Sequence, residues 1–359
     1  MVIAVHNVQR PLGRAVSSCW SPATEGLVHV VVVCHNVGVE DIRSNVLGVP
    51  DGSITFLQLD DGLASPSGPK NLGLAQCKTP YVLVLDSDDY LEAGALEHWL
   101  DVIKGTAADG VIAPLKLQTG DVVRTPRARV FRRHSLDAVK DQLAYATAPR
   151  GLWSTELLRS MEFSYTQGLR TAEDLAPGLA LWFSGARLEF PADGPHYVLG
   201  EDASDRVTAE FLPLMEEFQA VAGLQQAWLE ALSADQRQSI ATKLVRIHLA
   251  GALVRRGPGW GWPESDRLAV REFMDKVVAI SPAFAGPLTM AEQSLIAAVS
   301  APGADAGSFQ NAVEEFAAAS YWHKLLAPGI LDNAKRDSAL RHQLRLKFHA
   351  LVARARSTP

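Results

Sequence analysis

The sequence predicts an α/β domain with a mainly parallel sheet, followed by an all-helical C-terminal domain. In the first third of the chain, short runs rich in β-branched residues alternate with amphipathic segments, which is the rhythm of the β-α-β units that build parallel sheets. Beyond residue 209, long stretches with helical periodicity are separated by proline and glycine clusters. This change predicts one domain over residues 1–208 and a second over residues 209–359.

The elements of the first domain follow from local patterns. Four consecutive valines lie in the run 29–34, and such a run is typical of a strand buried on both faces. Pro11 suits the first turn of a helix, so a helix is expected to begin there. The expected strands are residues 2–5, 29–34, 54–59, 81–85 and 110–114, and the expected helices are residues 11–21, 39–47, 71–77 and 94–104.

The pattern becomes less regular between residues 122 and 208, where several arginines accumulate. Helical periodicity then dominates the rest of the chain. The expected helices are residues 211–232, 234–256, 264–280, 290–299, 309–321 and 332–355. The second domain also contains a loop with Trp260 and Trp262, which suits either contact with a glycan or the packing of two helices.

Composition limits the function classes. The 359 residues are 47% hydrophobic and carry a net charge of -6, which argues against a nucleic-acid-binding protein. The three cysteines form no C-x-x-C pair and are expected to be buried thiols in a reducing compartment. No run approaches the roughly 18 apolar residues that span a bilayer, and no signal-peptide pattern opens the chain. We therefore expect a cytoplasmic protein.

The last expected helix is both basic and amphipathic. Residues 335–356 contain seven lysines and arginines and one acid, Asp337, which gives a net charge of +6 (7 − 1). Leu340, Leu344, Phe348 and Leu351 recur at helical spacing and form one apolar face. Such a helix suits peripheral contact of residues 332–356 with an anionic membrane surface, and it equally suits packing on its own domain with a solvated basic face. Homo-oligomerisation through the helical domain is a further alternative.

The acidic run Asp86-Ser87-Asp88-Asp89 directly follows the hydrophobic run 81–85. Residues two apart in an extended chain point the same way, so Asp86 and Asp88 are expected to face one side. Ligands of open parallel sheets bind at the carboxyl ends of strands, and clustered carboxylates there favour a hard cation such as Mg²⁺ or Mn²⁺. A helix-capping box of Asp89 with Glu92 is the alternative, but it does not explain Asp86.

This acidic run resembles the Asp-x-Asp-Asp motif of the family 2 glycosyltransferases, and other elements match in the same order. His6-Asn7 resembles the end of the family's first strand, with His6 in place of the usual tyrosine. Lys70-Asn71-Leu-Gly resembles the Arg-Asn-x-Gly segment, with Lys70 in place of arginine. Glu173-Asp174-Leu175 resembles the Glu-Asp-Leu motif. Tyr197 and the run from Ser204 to Thr208 resemble the element that closes the catalytic domain.

The resemblance implies a GT-A fold, a Rossmann-like mixed sheet flanked by helices, over residues 1–208. It also implies a site for a nucleotide sugar, with UDP as the default nucleotide. One departure concerns the end of the second strand, where the family carries Asp-Asp-Gly-Ser and this sequence has His35 and Asn36 after Cys34. Either side chain suits a base edge. The expected donor-binding residues are His6, Asn7, His35, Asn36, Lys70, Asn71, Asp86, Ser87 and Asp88.

The implied reaction is a single displacement with inversion at the anomeric carbon. Negative charge grows on the leaving diphosphate, and a metal held by Asp88 is expected to offset that charge. Asp86 is expected nearer the ribose or a metal-bound water. His196 suits either a place at the diphosphate or metal or a purely structural role. An acceptor hydroxyl needs a base as it attacks, and Asp174 is the expected base, with Glu173 orienting the acceptor. The expected acceptor is a glycan, a cell-surface polymer or a lipid-linked sugar.

Two other functions stay open. A sugar nucleotidyltransferase is disfavoured because the segment after the first strand has only one glycine, Gly13, at poor spacing. A non-catalytic module that keeps the fold for binding or assembly stays open because the end of the second strand departs from the family motif. A dinucleotide-dependent dehydrogenase is disfavoured because no G-x-G-x-x-G follows the first strand.

Overall fold

The computed structural model of the protein describes residues 1–46, 48, 52–129, 132, 134–146, 148–202 and 211–357. The chain divides into two units. Unit 1 comprises residues 1–125, 133–136 and 147–210, and unit 2 comprises residues 126–132, 137–146 and 211–359. Two segments of the irregular middle region, residues 126–132 and 137–146, thus group with the C-terminal helices. A single boundary at residue 208 does not describe this division. The expected element at residues 204–208 lies outside the described residues.

Unit 1 alternates strands and helices along its first half. Its elements are β1 (Val2–Val5), α1 (Leu12–Ser17), β2 (Val30–His35), α2 (Val39–Arg43), β3 (Ile54–Leu59), α3 (Ser67–Ala75), β4 (Tyr81–Val82), β5 (Val84–Asp86), β6 (Tyr90–Leu91), α4 (Ala95–Thr106), β7 (Gly110–Ile112), β8 (Leu115–Leu117), β9 (Val122–Val123), β10 (Gly151–Ser154), α5 (Thr155–Ser160), α6 (Leu175–Trp182), β11 (Leu188–Glu189) and β12 (Tyr197–Leu199).

The principal sheet of unit 1 is parallel, as the β-α-β rhythm predicts. Its strand order is β3-β2-β1-β5, and each neighbouring pair runs parallel. Val30 to Val33 of β2 are all buried, because helices cover both faces of a parallel sheet. Two smaller sheets have the orders β11-β7-β10-β4 and β6-β12-β8-β9. The mixed α/β architecture with a helical C-terminal region is therefore confirmed.

The run expected as one strand over residues 81–85 forms two strands in different sheets. Tyr81 and Val82 pair antiparallel with β10, whereas β5 pairs parallel with β1, with Ala4 opposite Asp86. Because β5 ends at Asp86, the acidic run begins at the carboxyl edge of the parallel sheet. Helix α3 packs closely on the sheet near the amino end of β1, where a Cβ added at Gly73 would lie 2.3 Å from Val2 Cγ1.

Unit 2 is helical among its described residues. Its helices are α7 (Leu214–Glu217), α8 (Gln219–Ala222), α9 (Gln226–Ala231), α10 (Ala234–Lys243), α11 (Ala250–Arg256), α12 (Glu264–Ile280), α13 (Met290–Val299), α14 (Ala306–Ala318) and α15 (Ala339–Ser357). The bounds of α12 and α13 agree with the sequence prediction. The expected helix at residues 211–232 is three short helices.

The expected helix at residues 234–256 contains a π-helical segment, Leu244–Leu249, between α10 and α11. Lys243 and His248 are five residues apart, and Lys243 Nζ lies 2.7 Å from His248 Nε2. In the tryptophan loop, Trp262 is fully buried and packs against Phe309 with ring centroids 5.6 Å apart. Packing is therefore the role that the structure gives to Trp262.

Arg246 organises the polar interior of unit 2. Its guanidinium donates to both carboxylate oxygens of Glu292, to the hydroxyl of Tyr145 and to the carbonyls of Pro287 and Asp337. Tyr145 belongs to the segment 137–146, so this network attaches that segment to the helices of unit 2. In the described part of the chain, no helix has the length and apolar character needed to cross a membrane.

Candidate active site

The acidic turn after β5 is held by its main chain. Asp86 N donates to the hydroxyl of Tyr197 at 3.1 Å, and Gly200 N donates to Asp89 Oδ1 at 2.8 Å. Arg14 Nη2 donates to the carbonyl oxygen of Asp88 at 2.6 Å. A Cβ at Gly200 would lie 1.9 Å from that same oxygen, so only glycine permits this approach. The turn is therefore anchored by backbone contacts that leave the Asp86 and Asp88 carboxylates for other partners.

Lys70 joins the acidic turn to the Glu-Asp-Leu segment. Its Nζ lies 3.0 Å from Asp86 Oδ1 and 3.1 Å from Glu173 Oε1. Burial alone would lower the pKa of Lys70, but the charges of Asp86 and Glu173 outweigh it and raise that pKa well above its usual value. Lys70 is therefore a permanent cation between two predicted site carboxylates that lie 87 residues apart in the chain (173 − 86).

Arg150 is a second cation at the same turn. Its Nη2 donates to Asp86 Oδ2 at 3.2 Å, and its Nε lies 3.8 Å from Asp89 Oδ2. Burial tends to raise the pKa of Asp86, but Lys70 and Arg150 together hold that pKa well below its usual range. Burial and the neighbouring charge of Asp86 raise the pKa of Asp89 to about 7. Two adjacent carboxylates thus have opposite shifts, because the two cations lie closer to Asp86.

Asp174 lies at the N-terminal cap of α6, and its side chain makes no capping hydrogen bond. Its charge acts on Lys70, Arg150 and Tyr165, which places it in the same cluster as Asp86 and Glu173. The structure therefore brings the predicted base close to the acidic turn.

Asn71 positions the segment that leads to Glu173. Its side chain donates to the carbonyl of Tyr165 at 2.9 Å and accepts from Tyr165 N at 2.8 Å. The Tyr165 ring in turn lies beside Lys70, whose Nζ is 5.2 Å from the ring centroid. In this structure the Asn71 side chain therefore binds the backbone of Tyr165. The Tyr165 ring, held in this way, lies beside Lys70.

Arg10 contacts the remaining carboxylate of the turn. Arg10 Nη1 lies 2.7 Å from Asp88 Oδ2, and the two side chains are only 9% and 12% exposed. Asn7 lies in the same loop after β1, where its Oδ1 accepts from Gln9 N. His6 is exposed at the end of β1, and Ser87 is buried within the turn.

His35 and Asn36, at the end of β2, bind the loop that follows β3. His35 Nε2 lies 2.8 Å from Asp61 Oδ1, and this contact lowers the pKa of Asp61. Asn36 donates to the carbonyl of Leu63 and accepts from Gly62 N. The loop after β3 is therefore held at Asp61 and Gly62 by the two side chains predicted to contact a base.

His196 does not join the predicted metal set in this structure. Its Nδ1 lies 2.7 Å from Glu92 Oε2, and Lys116 Nζ donates to the other oxygen of Glu92. Burial would raise the pKa of Glu92, but these two partners lower it to about 2. Throughout the described residues, no three His, Cys, Asp or Glu side chains surround a common point that suits a metal ion. Asp86 and Asp88 remain as two hard oxygen donors.

Three functional cations escaped the sequence analysis: Arg10, Arg14 and Arg150. Each contacts a residue of the acidic turn from at least 60 positions away, so no local pattern pairs them. A weak signal exists for Arg10 and Arg14, because both follow the first strand of a predicted parallel sheet, where loops meet at one edge. No comparable signal marks Arg150.

Comparisons with known proteins agree with this fold. A family model described as Glycosyl transferase family 2 matches residues 1–160. TarS 1-349 of Staphylococcus aureus, solved in complex with UDP-GlcNAc, superposes with a TM-score of 0.71 at 17% identity, covering 89% of this chain and 92% of that one. At this identity the likeness concerns the fold, and it extends over both units.

Curated relatives match at similar levels of identity. A poly(ribitol-phosphate) beta-glucosyltransferase of Bacillus spizizenii is 24% identical over 41% of this chain and 23% of its own length. The poly(ribitol-phosphate) beta-N-acetylglucosaminyltransferase TarP of S. aureus is 22% identical over 56% of this chain and 62% of its own. The succinoglycan biosynthesis protein ExoO of Rhizobium meliloti is 25% identical over 70% and 72%. The chain thus spans about a quarter of the first of these and under two thirds of the second.

Proposed function

We propose that this chain is a glycosyltransferase that moves a sugar from a nucleoside-diphosphate sugar to a hydroxyl of a cell-surface polymer. The observation on which this proposal rests is the cluster of charged side chains at the carboxyl edge of the parallel sheet. There Lys70 contacts both Asp86 and Glu173 at about 3 Å, and Asp174 lies close enough to act on Lys70 electrostatically. The match of residues 1–160 to the family 2 glycosyltransferases supports the same activity.

On the donor side, Lys70 and Arg150 are fixed cations beside the expected position of the diphosphate. Both are held by Asp86, so their orientation is set before the donor arrives. Mg²⁺ and Mn²⁺ accept one or two carboxylates when substrate phosphates complete the coordination, and Asp86 with Asp88 fits that requirement. When bound there, the cation would offset the charge that develops on the leaving diphosphate.

The absence of a third donor among the described residues carries a consequence for binding. Two carboxylates already paired with Lys70, Arg150 and Arg10 form a weak site for a cation by themselves. Phosphate oxygens of the donor supply the missing ligands. We therefore expect Mn²⁺ to bind together with the nucleotide and only weakly without it.

On the acceptor side, Asp174 takes the proton of the attacking hydroxyl. The acceptor oxygen forms its bond to the anomeric carbon as the bond from that carbon to the diphosphate oxygen breaks, which inverts the configuration. Glu173 is held by Lys70 and is therefore a positioning group beside the base. The negative charge leaves with the nucleoside diphosphate, and the proton ends on Asp174.

UDP is the proposed nucleotide, because a protein of the same fold was solved with UDP-GlcNAc. His6, Asn7, His35, Asn36 and Ser87 are the side chains of this chain proposed to contact the nucleoside. His35 and Asn36 hold the loop at Asp61 and Gly62. Contact with a base therefore requires these two side chains to share or exchange their hydrogen bonds to that loop. A polymer acceptor is proposed because the relatives of this chain include poly(ribitol-phosphate) transferases.

The C-terminal helix α15 is proposed to lie on an anionic membrane surface, which would place a cytoplasmic enzyme beside a membrane-borne acceptor. Leu344 and Leu351 on this helix are 57% and 62% exposed, among basic residues. Exposed apolar groups with neighbouring cations are the combination that an anionic lipid surface attracts. Tyr321 and Trp322, which precede α15 in the chain, are 60% and 61% exposed, and such aromatic side chains suit the headgroup region.

A donor panel tests the proposed activity. The protein is incubated with Mn²⁺ and a set of UDP-, GDP- and CDP-sugars, and the released nucleoside diphosphate is measured for each donor. Slow hydrolysis of one donor is expected, together with its loss in Asp88→Ala. Binding of a donor without turnover, unchanged in Asp174→Asn, would identify a non-catalytic module instead.

A further inference from the structure

We propose that Arg10 is an exchangeable counter-ion of Asp88. In the absence of donor Arg10 pairs with that carboxylate, and when a diphosphate arrives Arg10 turns to it and releases Asp88 to a divalent cation. The inference rests on the proposed function for the identity of the diphosphate ligand. It adds a role for a side chain outside every motif that the sequence analysis identified.

The contact itself is direct and sheltered. Arg10 Nη1 and Asp88 Oδ2 are 2.7 Å apart, and the side chains are 9% and 12% exposed. A cation that binds Asp88 must compete with the guanidinium for the same carboxylate. Such competition disfavours metal binding before the diphosphate is present, because two positive charges at one carboxylate repel each other.

Arg10 lies in a loop that suits such an exchange. It follows β1 and precedes α1, and Arg10 N donates to the carbonyl of Asn7 while Leu12 N donates to the carbonyl of Arg10. The loop begins at the carboxyl end of a strand in the parallel sheet, where ligands of such sheets bind. Arginine also matches phosphate with two parallel donors, so a diphosphate is a competent alternative partner for it.

The turn that carries Asp88 does not depend on Arg10 for its shape. Arg14 holds the carbonyl of Asp88 and also pairs with Asp202 at 2.6 Å. Gly200 and Tyr197 hold the neighbouring positions of the turn. Arg14 thus fixes the main chain and Arg10 neutralises the side chain. Moving Arg10 changes the charge at Asp88 and leaves the backbone in place.

The substitution Arg10→Gln separates this role from a structural one, because the proposal requires two effects of opposite sign. Loss of the competing charge should strengthen Mn²⁺ binding in the absence of nucleotide. An ion pair worth about 1 kcal/mol corresponds to a gain of about fivefold. Loss of the phosphate partner should weaken nucleoside-diphosphate binding in the absence of metal, by about tenfold to a hundredfold for one charged hydrogen bond.

The experiment measures both affinities without any turnover. Free Mn²⁺ is followed by electron paramagnetic resonance during titration of the full chain, and binding of UDP, GDP and CDP is measured by calorimetry in EDTA. Arg10→Gln, Arg10→Lys and Asp88→Asn are compared with wild type. Arg10→Lys keeps the positive charge and should retain weak Mn²⁺ binding. The double variant Arg10→Gln with Asp88→Asn should lose the stronger Mn²⁺ binding that Arg10→Gln alone is expected to show.

Unchanged or weaker Mn²⁺ binding in a folded Arg10→Gln variant overturns the proposal, as does unchanged diphosphate binding in EDTA. If Arg10→Gln does not fold, Arg10→Lys carries the test, because lysine keeps the charge but is shorter than arginine and lacks its two-pronged match to phosphate. If Arg10→Lys retains the Mn²⁺ affinity of wild type and binds the nucleoside diphosphate more weakly, the exchange is supported. Any other pattern refutes the exchange. If no nucleoside diphosphate binds wild type, the proposed function fails, while the Mn²⁺ titration still reports on the Arg10 and Asp88 pair.

Discussion

Lys70 is the residue whose removal tests the site most directly. It is 12% exposed and contacts both Asp86 and Glu173, and Glu173 is itself only 9% exposed. Substitution by methionine keeps the length of the side chain and removes the charge. Asp86 retains Arg150, so the principal loss falls on Glu173, which becomes a buried carboxylate without its Lys70 partner.

The magnitude follows from what a carboxylate does when its partner is removed. Removing one partner of a buried ion pair costs about 3–5 kcal/mol. Neutralising a glutamate at pH 7 from its reference pKa of about 4.3 costs about 3.7 kcal/mol, which caps the loss (2.7 × 1.36). We therefore expect Lys70→Met to lower the free energy of unfolding by about 3 kcal/mol at pH 7.

The loss should shrink in acid, because protonation removes the buried charge that Lys70→Met leaves without its partner. Proton binding to the native state stabilises it relative to the unfolded chain as the pH falls, by about 1.4 kcal/mol per unit. At pH 5 the deficit should therefore fall to about 1 kcal/mol. Urea unfolding at pH 7 and pH 5 measures both values.

The double variant Lys70→Met with Glu173→Gln is the matched control, because it removes both charges. It should recover most of the stability that Lys70→Met loses at pH 7. A deficit that is equal at the two pH values and is not relieved by Glu173→Gln would refute the reasoning. Lys70 would then act through packing alone.

Four further outcomes are expected. Asp174→Asn should lower donor hydrolysis by about 10²- to 10⁴-fold with nucleotide affinity unchanged, as measured by turnover and calorimetry. Gly200→Ala should cost about 1–3 kcal/mol or more in urea unfolding, because its Cβ would meet the carbonyl of Asp88, whereas Gly105→Ala in α4 meets no neighbour and should be neutral or stabilising. Burial and Lys243 hold the pKa of His248 well below its usual value. Below about pH 6.5 the unfolded chain therefore binds a proton at His248 that the native chain does not, and the free energy of unfolding should fall as the pH is lowered. His248→Gln should reduce this pH dependence, as measured by urea unfolding. Flotation with phosphatidylserine vesicles should recover the wild-type chain at low salt, and Leu344→Asp with Leu351→Asp should abolish it.

Each of these outcomes has a contrary result. Retained hydrolysis in Asp174→Asn would move the base elsewhere, and equal stability of the two glycine variants would contradict the close approach at Gly200. Acid sensitivity that persists in His248→Gln would assign it to another group. Flotation that is equal with neutral vesicles would remove the electrostatic part of the membrane proposal.

Local patterns predicted the elements whose burial is simple. The bounds of β3, α12 and α13 agree with the sequence because each has a clear period and clear end signals. The run 81–85 was wrong as one strand, since its two halves pair with different partners, β10 and β1, that lie far away in the chain. The π-helical segment between α10 and α11 was also missed, because helical periodicity does not distinguish it from the α-helices on either side.

The sequence by itself determined the fold class, the acidic run at the end of a strand and the order of the motifs. These features are local, since side-chain period and strand ends depend on neighbouring residues. Only the tertiary structure decided which cationic side chains pair with which carboxylates. Lys70, Arg150 and Arg10 reach the acidic turn from separate parts of the chain, and His196 pairs with Glu92 instead. Charge pairing depends on distance in space, which the fold sets and the order of residues along the chain does not reveal.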